Sequence, residues 1–295
     1  MLAIVIPYYK INYFQTTLQS LADQSDMRFV VYIGDDASPD DPATLLSKFE
    51  DKLTLRYQRF DQNFGANSLT KQWERCLEMT QSEKWVMILG DDDFLDENVV
   101  SAFYNSIEMV SASNCNVIRF ATQKIDTKTN TKSAVYNHPE IEKSTTFLTR
   151  LYTKRTRSSL SEYVFNKNIL LQKGIRNFPI AWHADLAMVL EVSDFKEVYA
   201  INTAVVSIRI SHDSISGSKA YIKQKAKADF SFGKFLIHNL NRFSKEEQKI
   251  VVPRIEKMAI NNRKQFKFAT KIMVLYFCRF EFPKAFLFMY KILKK

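Results

Sequence analysis

The chain has 295 residues, 46% hydrophobic, 25% charged and 13% aromatic, with six glycines and seven prolines; this excludes a disordered or low-complexity protein and leaves little material for linkers. Forty-two basic and 32 acidic residues give +10, unevenly: residues 1–100 carry 9 and 17 (net −8), residues 101–200 carry 13 and 9 (+4), and residues 201–295 carry 20 and 6 (+14). Cys76, Cys115 and Cys278 are too few and too scattered for a disulfide framework or a zinc site, which points to a reducing compartment. No run approaches the ~20 apolar residues of a membrane span, so a cytoplasmic protein is expected, peripheral on a membrane at most.

In chain order, residues 2–6 form a continuous apolar run closed by Pro7, the pattern of a strand buried on both faces. Residues 12–22 space Phe14, Leu18 and Leu21 at helical intervals. Residues 29–33 predict a second buried strand ending in Gly34-Asp35-Asp36; residues 42–49 predict a helix, and 53–57 a third strand. Residues 66–79 are in helical phase, and 85–89 are the most apolar strand, stopping at Gly90-Asp91-Asp92-Asp93. A helix over 98–110, a strand over 117–121 and a polar loop or hairpin over 124–137 follow. Residues 183–192 read as a helix, 198–201 and 205–210 as extended, 211–218 as a polar loop, and everything from Tyr221 onward as helical. Apolar strands alternating with helices predict an α/β fold with a mostly parallel sheet flanked by helices, whose ligands bind beyond the strand carboxyl ends. Both acidic clusters fall at such ends.

Three adjacent carboxylates repel one another and persist where a cation or hydrogen-bond donors offset the repulsion. Hard cations, Mn²⁺ or Mg²⁺, take oxygen ligands and share them with substrate phosphates. Alternatively these aspartates merely favour the positive end of the helix at residue 98. Asp36 could accept from a nucleobase or a ribose, or belong to a simple turn.

Together the segments Ile4-Val5-Ile6-Pro7-Tyr8-Tyr9, Gly34-Asp35-Asp36-Ala37-Ser38-Pro39-Asp40, Asn63-Phe64-Gly65 and Leu89-Gly90-Asp91-Asp92-Asp93 resemble family 2 glycosyltransferases of the GT-A fold. The resemblance covers roughly residues 1–217, leaving 218–295 as a basic, aromatic-rich helical region. It implies an inverting enzyme that moves a sugar from a nucleotide-diphosphate donor, by family habit a UDP-sugar, to a saccharide or lipid-linked saccharide in surface polysaccharide or glycan synthesis. It places Pro7, Tyr9, Asp36, Asn63, Lys71 and Asp91 at the donor, with Arg75 a second basic candidate. It assigns the metal to Asp92 and Asp93, with Asp92 as the direct ligand, although Gly90 stands where the common pattern has an aspartate. Asp185, in His183-Ala184-Asp185 before a helical run, matches the catalytic base, with Ala184 where the family has glutamate; the bland reading is a solvated first-turn residue. Arg209-Ile210-Ser211-His212-Asp213-Ser214-Ile215-Ser216 resembles the family's closing motif, whose histidine, His212 here, approaches the metal or the diphosphate in some members; the bland reading is a structural or solvent-exposed histidine.

From Arg263 to the end, cations interleave with Phe, Tyr, Leu and Ile, with Pro283 as a breaker. Such a segment suits an anionic membrane surface, or else packs on the catalytic domain or a second subunit. A metal-dependent nucleotidyltransferase is the nearest rival, but no glycine follows the first strand where its basic loop would lie. A membrane- or nucleic-acid-binding module would leave the acidic first third unexplained, and nucleic acid is not expected as a partner.

Overall fold

The computed structural model describes residues 1–129, 131–211, 218, 220–262 and 266–293. Its elements in chain order are β1 (Leu2–Tyr8), α1 (Phe14–Ala22), β2 (Phe29–Asp35), α2 (Ala43–Leu46), β3 (Leu55–Arg59), α3 (Leu69–Glu78), β4 (Trp85–Ile88), β5 (Phe94–Leu95), α4 (Val99–Ala112), β6 (Val117–Asp126), β7 (Thr131–Lys132), β8 (Ile141–Lys143), α5 (Ser144–Tyr152), β9 (Tyr163–Asn166), α6 (Lys167–Lys173), α7 (Ala184–Val192), β10 (Glu197–Ile210), α8 (Ile222–His238), α9 (Lys245–Asn261), α10 (Phe266–Cys278) and α11 (Phe282–Leu293).

One mixed sheet runs in the order β3-β2-β1-β4-β9-β6-β10-β5, with β7 and β8 paired to its long strands. The first half is parallel, as the apolar runs require: Leu2 pairs with Phe29 on one side and with Trp85 on the other. Alternate residues of β1 serve opposite faces. Leu2, Ile4 and Ile6 join α1 and α4 in one core, whereas Ala3 and Val5 join α3 and α7 in the other. The shared register brings Tyr8, Asp35 and the end of β4 to one edge, where the Asp36 amide donates to the Tyr8 carbonyl at 3.0 Å.

Two departures from the sequence reading shape this edge. The antiparallel β9, which no alternation announces, inserts between β4 and β6 and carries Ser161 and Glu162 on its approach. The two extended stretches near residue 200 are one strand, β10, whose register against β6 shifts between Ile201 and Val205.

The helices after residue 221 form the expected helical C-terminal region and pack onto the rest of the molecule. Ala228, Phe232 and Leu236 of α8, Val251 and Ile255 of α9, and Ile272 and Phe288 beyond share one continuous apolar cluster with α7. Helix is interrupted between α10 and α11 before Pro283, which sits in the first turn of α11, where its missing amide costs nothing. Among the described residues no helix is long and apolar enough to cross a membrane.

Candidate active site

Beyond the ends of β1, β2 and β4 lies a cleft of about 490 Å³ whose wall includes Pro7, Tyr9, Lys10, Asp36, Asn63, Gly65 and Asp91 to Asp93. Asp36 is buried and holds this wall together. Its Oδ1 accepts from the Phe64 amide at 2.7 Å and from the Arg75 guanidinium, and its Oδ2 accepts from the Gly65 amide at 2.7 Å. Three donors leave about one of a carboxylate's four lone-pair positions for a ligand. Burial raises its pKa, and the Gly65 and Phe64 amides and Arg75 oppose the rise. Gly65 is required by close approach: a Cβ there would lie 2.4 Å from Asp36 Oδ2.

Of the two basic candidates, Arg75 is the one that turns inward, its guanidinium 3.9 Å from the Phe60 ring centroid and 4.2 Å from that of Phe64. Lys71 is exposed and does not line the cleft. The phase of α3 turns Leu69, Gln72, Trp73 and Cys76 inward instead, and the Lys71 amide is spent on the Ser68 cap.

The three aspartates divide their work. Asp91 Oδ2 accepts from the amides of Tyr9 and Lys10, both at 2.8 Å, and so ties the segment after β1 to the end of β4. Asp93 accepts from the Ser161 hydroxyl at 2.5 Å and from the Arg209 amide at 2.9 Å, anchoring β9 and β10. The hydrogen bond to the Asp92 carboxylate comes from its own amide, with Lys10 and Arg209 as the cations favouring its charge. Burial pushes all three carboxyls up, Asp91 to about 6, and the charge of Asp92 adds to the rise of the other two. Gly90 fits for a steric reason, since a Cβ would stand 3.1 Å from both Asp92 Oδ1 and Asp93 Oδ2.

Among the described residues no three acid, His or Cys side chains converge to hold an ion unaided. A donor set of one available carboxylate at a crowded anionic edge fits a hard divalent cation that takes its remaining ligands from a bound diphosphate. His212 lies outside the described residues.

A second cleft of about 500 Å³ adjoins the first and shares Leu69, Trp73, Asp92, Asp93 and Ile180 with it. Its far wall carries Asp185, half-buried in the first turn of α7. Asp185 Oδ2 accepts from the Ser158 hydroxyl at 3.1 Å. Burial raises its pKa, and the His183 charge, the Leu186 amide and Ser158 oppose the rise. Trp73, Tyr152 and Trp182 give this cleft aromatic walls.

The turn into α7 is strained. Ile180, Ala181 and His183 have φ of 53°, 53° and 72°, which L residues rarely adopt and which is least comfortable for a β-branched side chain. The surrounding packing holds it: the His183 ring stacks on Phe232 at 4.7 Å and its Nε2 lies 2.8 Å from Asp229 Oδ1, both partners on α8.

Arg157 and Arg209 also line this cleft; the sequence reading gives Arg209 only as the start of the closing motif, with no role, and does not single out Arg157. Buried Glu162 orients Arg157 (3.1 Å) while pairing with Arg119 (2.7 Å). Arg209 Nε donates to the Asp92 carbonyl at 2.9 Å, with its guanidinium 4.2 Å from the Tyr13 ring centroid. For Arg209 the closing motif was an available signal; for Arg157 there was none.

The family model described as glycosyl transferase family 2 matches residues 3–166, more than half of the chain, and the chain belongs to that family. Its α/β sheet flanked by helices is the GT-A fold. Among solved structures it is similar to residues 1–349 of S. aureus TarS in complex with UDP-GlcNAc, with a TM-score of 0.65 and 14% identity over 98% of this chain and 86% of that one. The UDP complex of the same TarS fragment aligns with a TM-score of 0.59 at 14% identity over the same shares. A longer S. aureus TarS chain aligns with a TM-score of 0.59 and 15% identity, over 98% of this chain and 52% of that one. No curated protein matches the chain in sequence.

Proposed function

We propose that this glycosyltransferase moves a sugar from a nucleoside-diphosphate donor, a UDP-sugar, to a hydroxyl of a saccharide or lipid-linked saccharide acceptor, in one displacement that inverts the anomeric carbon. The observation that carries this reading is the meeting of two clefts at Asp92 and Asp93, with an isolated carboxylate, Asp185, on the far wall of the second. The first cleft takes the nucleotide: Pro7 and Tyr9 flank the base, and Asp36 offers its remaining lone pair to it while fixing the Asn63-Phe64-Gly65 turn. That the similar TarS fragment is seen in complex with UDP-GlcNAc and with UDP supports this choice of donor. Asp91 acts through the Tyr9 and Lys10 amides that it holds in place.

A divalent cation, Mn²⁺ or Mg²⁺, held by Asp92 beside Asp93 and by the donor, would neutralise the leaving diphosphate. Lys10, Arg157 and Arg209 supply further positive charge on the same side, where it counts most as the bond to the sugar breaks. Asp185 accepts the proton of the attacking hydroxyl, and burial keeps its carboxylate basic enough for that task. Trp73, Trp182 and Tyr152 present flat apolar faces to the acceptor, as expected for sugar rings.

The test is a panel of nucleotide sugars, with and without Mn²⁺, scored by release of the nucleoside diphosphate and by thermal shift. Metal-dependent release from one UDP-sugar, lost in Asp92→Asn, is the expected result. Absence of both signals across the panel, for wild type, would overturn the proposal.

A further inference from the structure

Of eighteen large apolar side chains exposed among the described residues, eight lie between positions 274 and 293. The inner faces of α10 and α11 are buried through Ile272, Tyr276, Phe288 and Ile292. Their outer faces carry Val274, Phe286, Leu287 and Tyr290, all more than half exposed. At the turn between them Phe282 contacts both Phe277 and Phe280, at centroid distances of 5.8 and 6.1 Å, and Phe280 is 80% exposed. Helices apolar on the inside and the outside have a second apolar phase to meet, and a patch of this kind on one edge marks an interaction surface.

Its charge says which phase. Residues 263–295 contain nine Lys or Arg and one acidic residue. Beside Leu287 a hollow of about 260 Å³ is bordered by Lys249, Arg279, Lys284 and Lys291. Within it Lys284 pairs with Glu281 at 3.1 Å and Lys249 with neighbouring Glu246 at 2.7 Å, while the Tyr276 hydroxyl donates to Glu256, so the net excess of cations comes from the tail as a whole.

We propose that the outer face of α10 and α11 is a docking surface for an anionic phospholipid bilayer, with the aromatic ridge at the acyl boundary and the cations on headgroup phosphates. The helices lie on the bilayer. At 13 and 12 residues they are about 20 and 18 Å long, short of the ~30 Å hydrocarbon thickness. A second copy of the chain is the poorer occupant, because a two-fold contact would set this cationic face against itself. The surface lines neither cleft of the proposed transfer reaction and stands or falls apart from it.

The experiment is flotation of the full chain with vesicles of phosphatidylcholine alone or mixed with phosphatidylglycerol. The wild type is expected to float with the anionic vesicles and to be released by salt. Phe280→Ser with Phe286→Ser should bind at least about tenfold more weakly, and Lys284→Gln with Lys291→Gln should lose the preference for anionic lipid. All four positions are exposed, and an unchanged thermal transition confirms that the variants fold. Equal flotation of wild type and the Phe variant would overturn the proposal. So would a wild type that ignores vesicles and instead sediments as a dimer dispersed by the same substitutions.

Discussion

Asp185→Asn separates chemistry from binding and from stability, and the structure sets each expectation. Asparagine keeps the shape and its Oδ1 still accepts from Ser158, but it cannot take a proton. Loss of a general base costs about 10²–10⁴-fold in turnover, or about 2.7–5.5 kcal/mol of barrier. Donor affinity should not change, because Asp185 lines the second cleft only. Stability should rise. Burial is the leading cause of the raised Asp185 pKa, so in the folded state the charged form is disfavoured relative to the unfolded chain. That penalty is absent in acid, where both states are protonated. It appears as pH rises above the pKa of the unfolded chain and is complete once the raised folded pKa is passed. Removing one such carboxylate should stabilise by about 1 kcal/mol, or about 1.5 °C for a chain of this size. The assays are product formation under saturating donor, titration with UDP, and thermal unfolding at neutral and acid pH. Turnover within about threefold of wild type would refute the base assignment. A melting gain that persists unchanged in acid would refute the electrostatic account.

Gly65→Ala should raise the donor KM about 10–100-fold in a folded protein, since the new Cβ, 2.4 Å from Asp36 Oδ2, displaces a charge-assisted bond worth about 1.5–3 kcal/mol; an unchanged KM would show that the Asp36 wall does not touch the donor. Trp182→Ala should weaken the acceptor about tenfold while leaving the donor KM alone, in a two-substrate kinetic matrix. Phe232→Ala should cost about 3–5 kcal/mol in denaturant unfolding and lower turnover as well, because the ring it removes is fully buried and supports His183; a variant of native stability would mean that α8 is dispensable to the catalytic core.

What could be read from the sequence followed from local physics. Continuous apolar runs ending in acids mark strand ends, and register then does the rest, so Asp36 and Asp91 to Asp93 meet at one edge without long-range information. The partners of those acids were illegible. Asp93 is anchored by Ser161 and by the Arg209 amide, 68 and 116 positions away, and neither residue type announces such a bond. Lys71 and Arg75 are one helical turn apart, and only tertiary packing decides that Arg75 turns inward. β9 was missed because four residues buried on both faces show no alternation. The tail was half legible: interleaved cations and aromatics predict two apolar-sided helices, and only the fold tells which aromatics pack on α9 and which face out.

The left-handed turn at Ile180, Ala181 and His183 ties the Asp185 carboxylate to helices far along the chain. Conformations of this kind cost on the order of 1–3 kcal/mol each, and contacts from α8 are what keep them in place. A genetic screen for lost activity should therefore yield substitutions at Asp229 and Phe232, outside every recognisable motif. Such alleles would be temperature-sensitive rather than null, and rescued by cold growth, because they relax a turn instead of removing a reacting group.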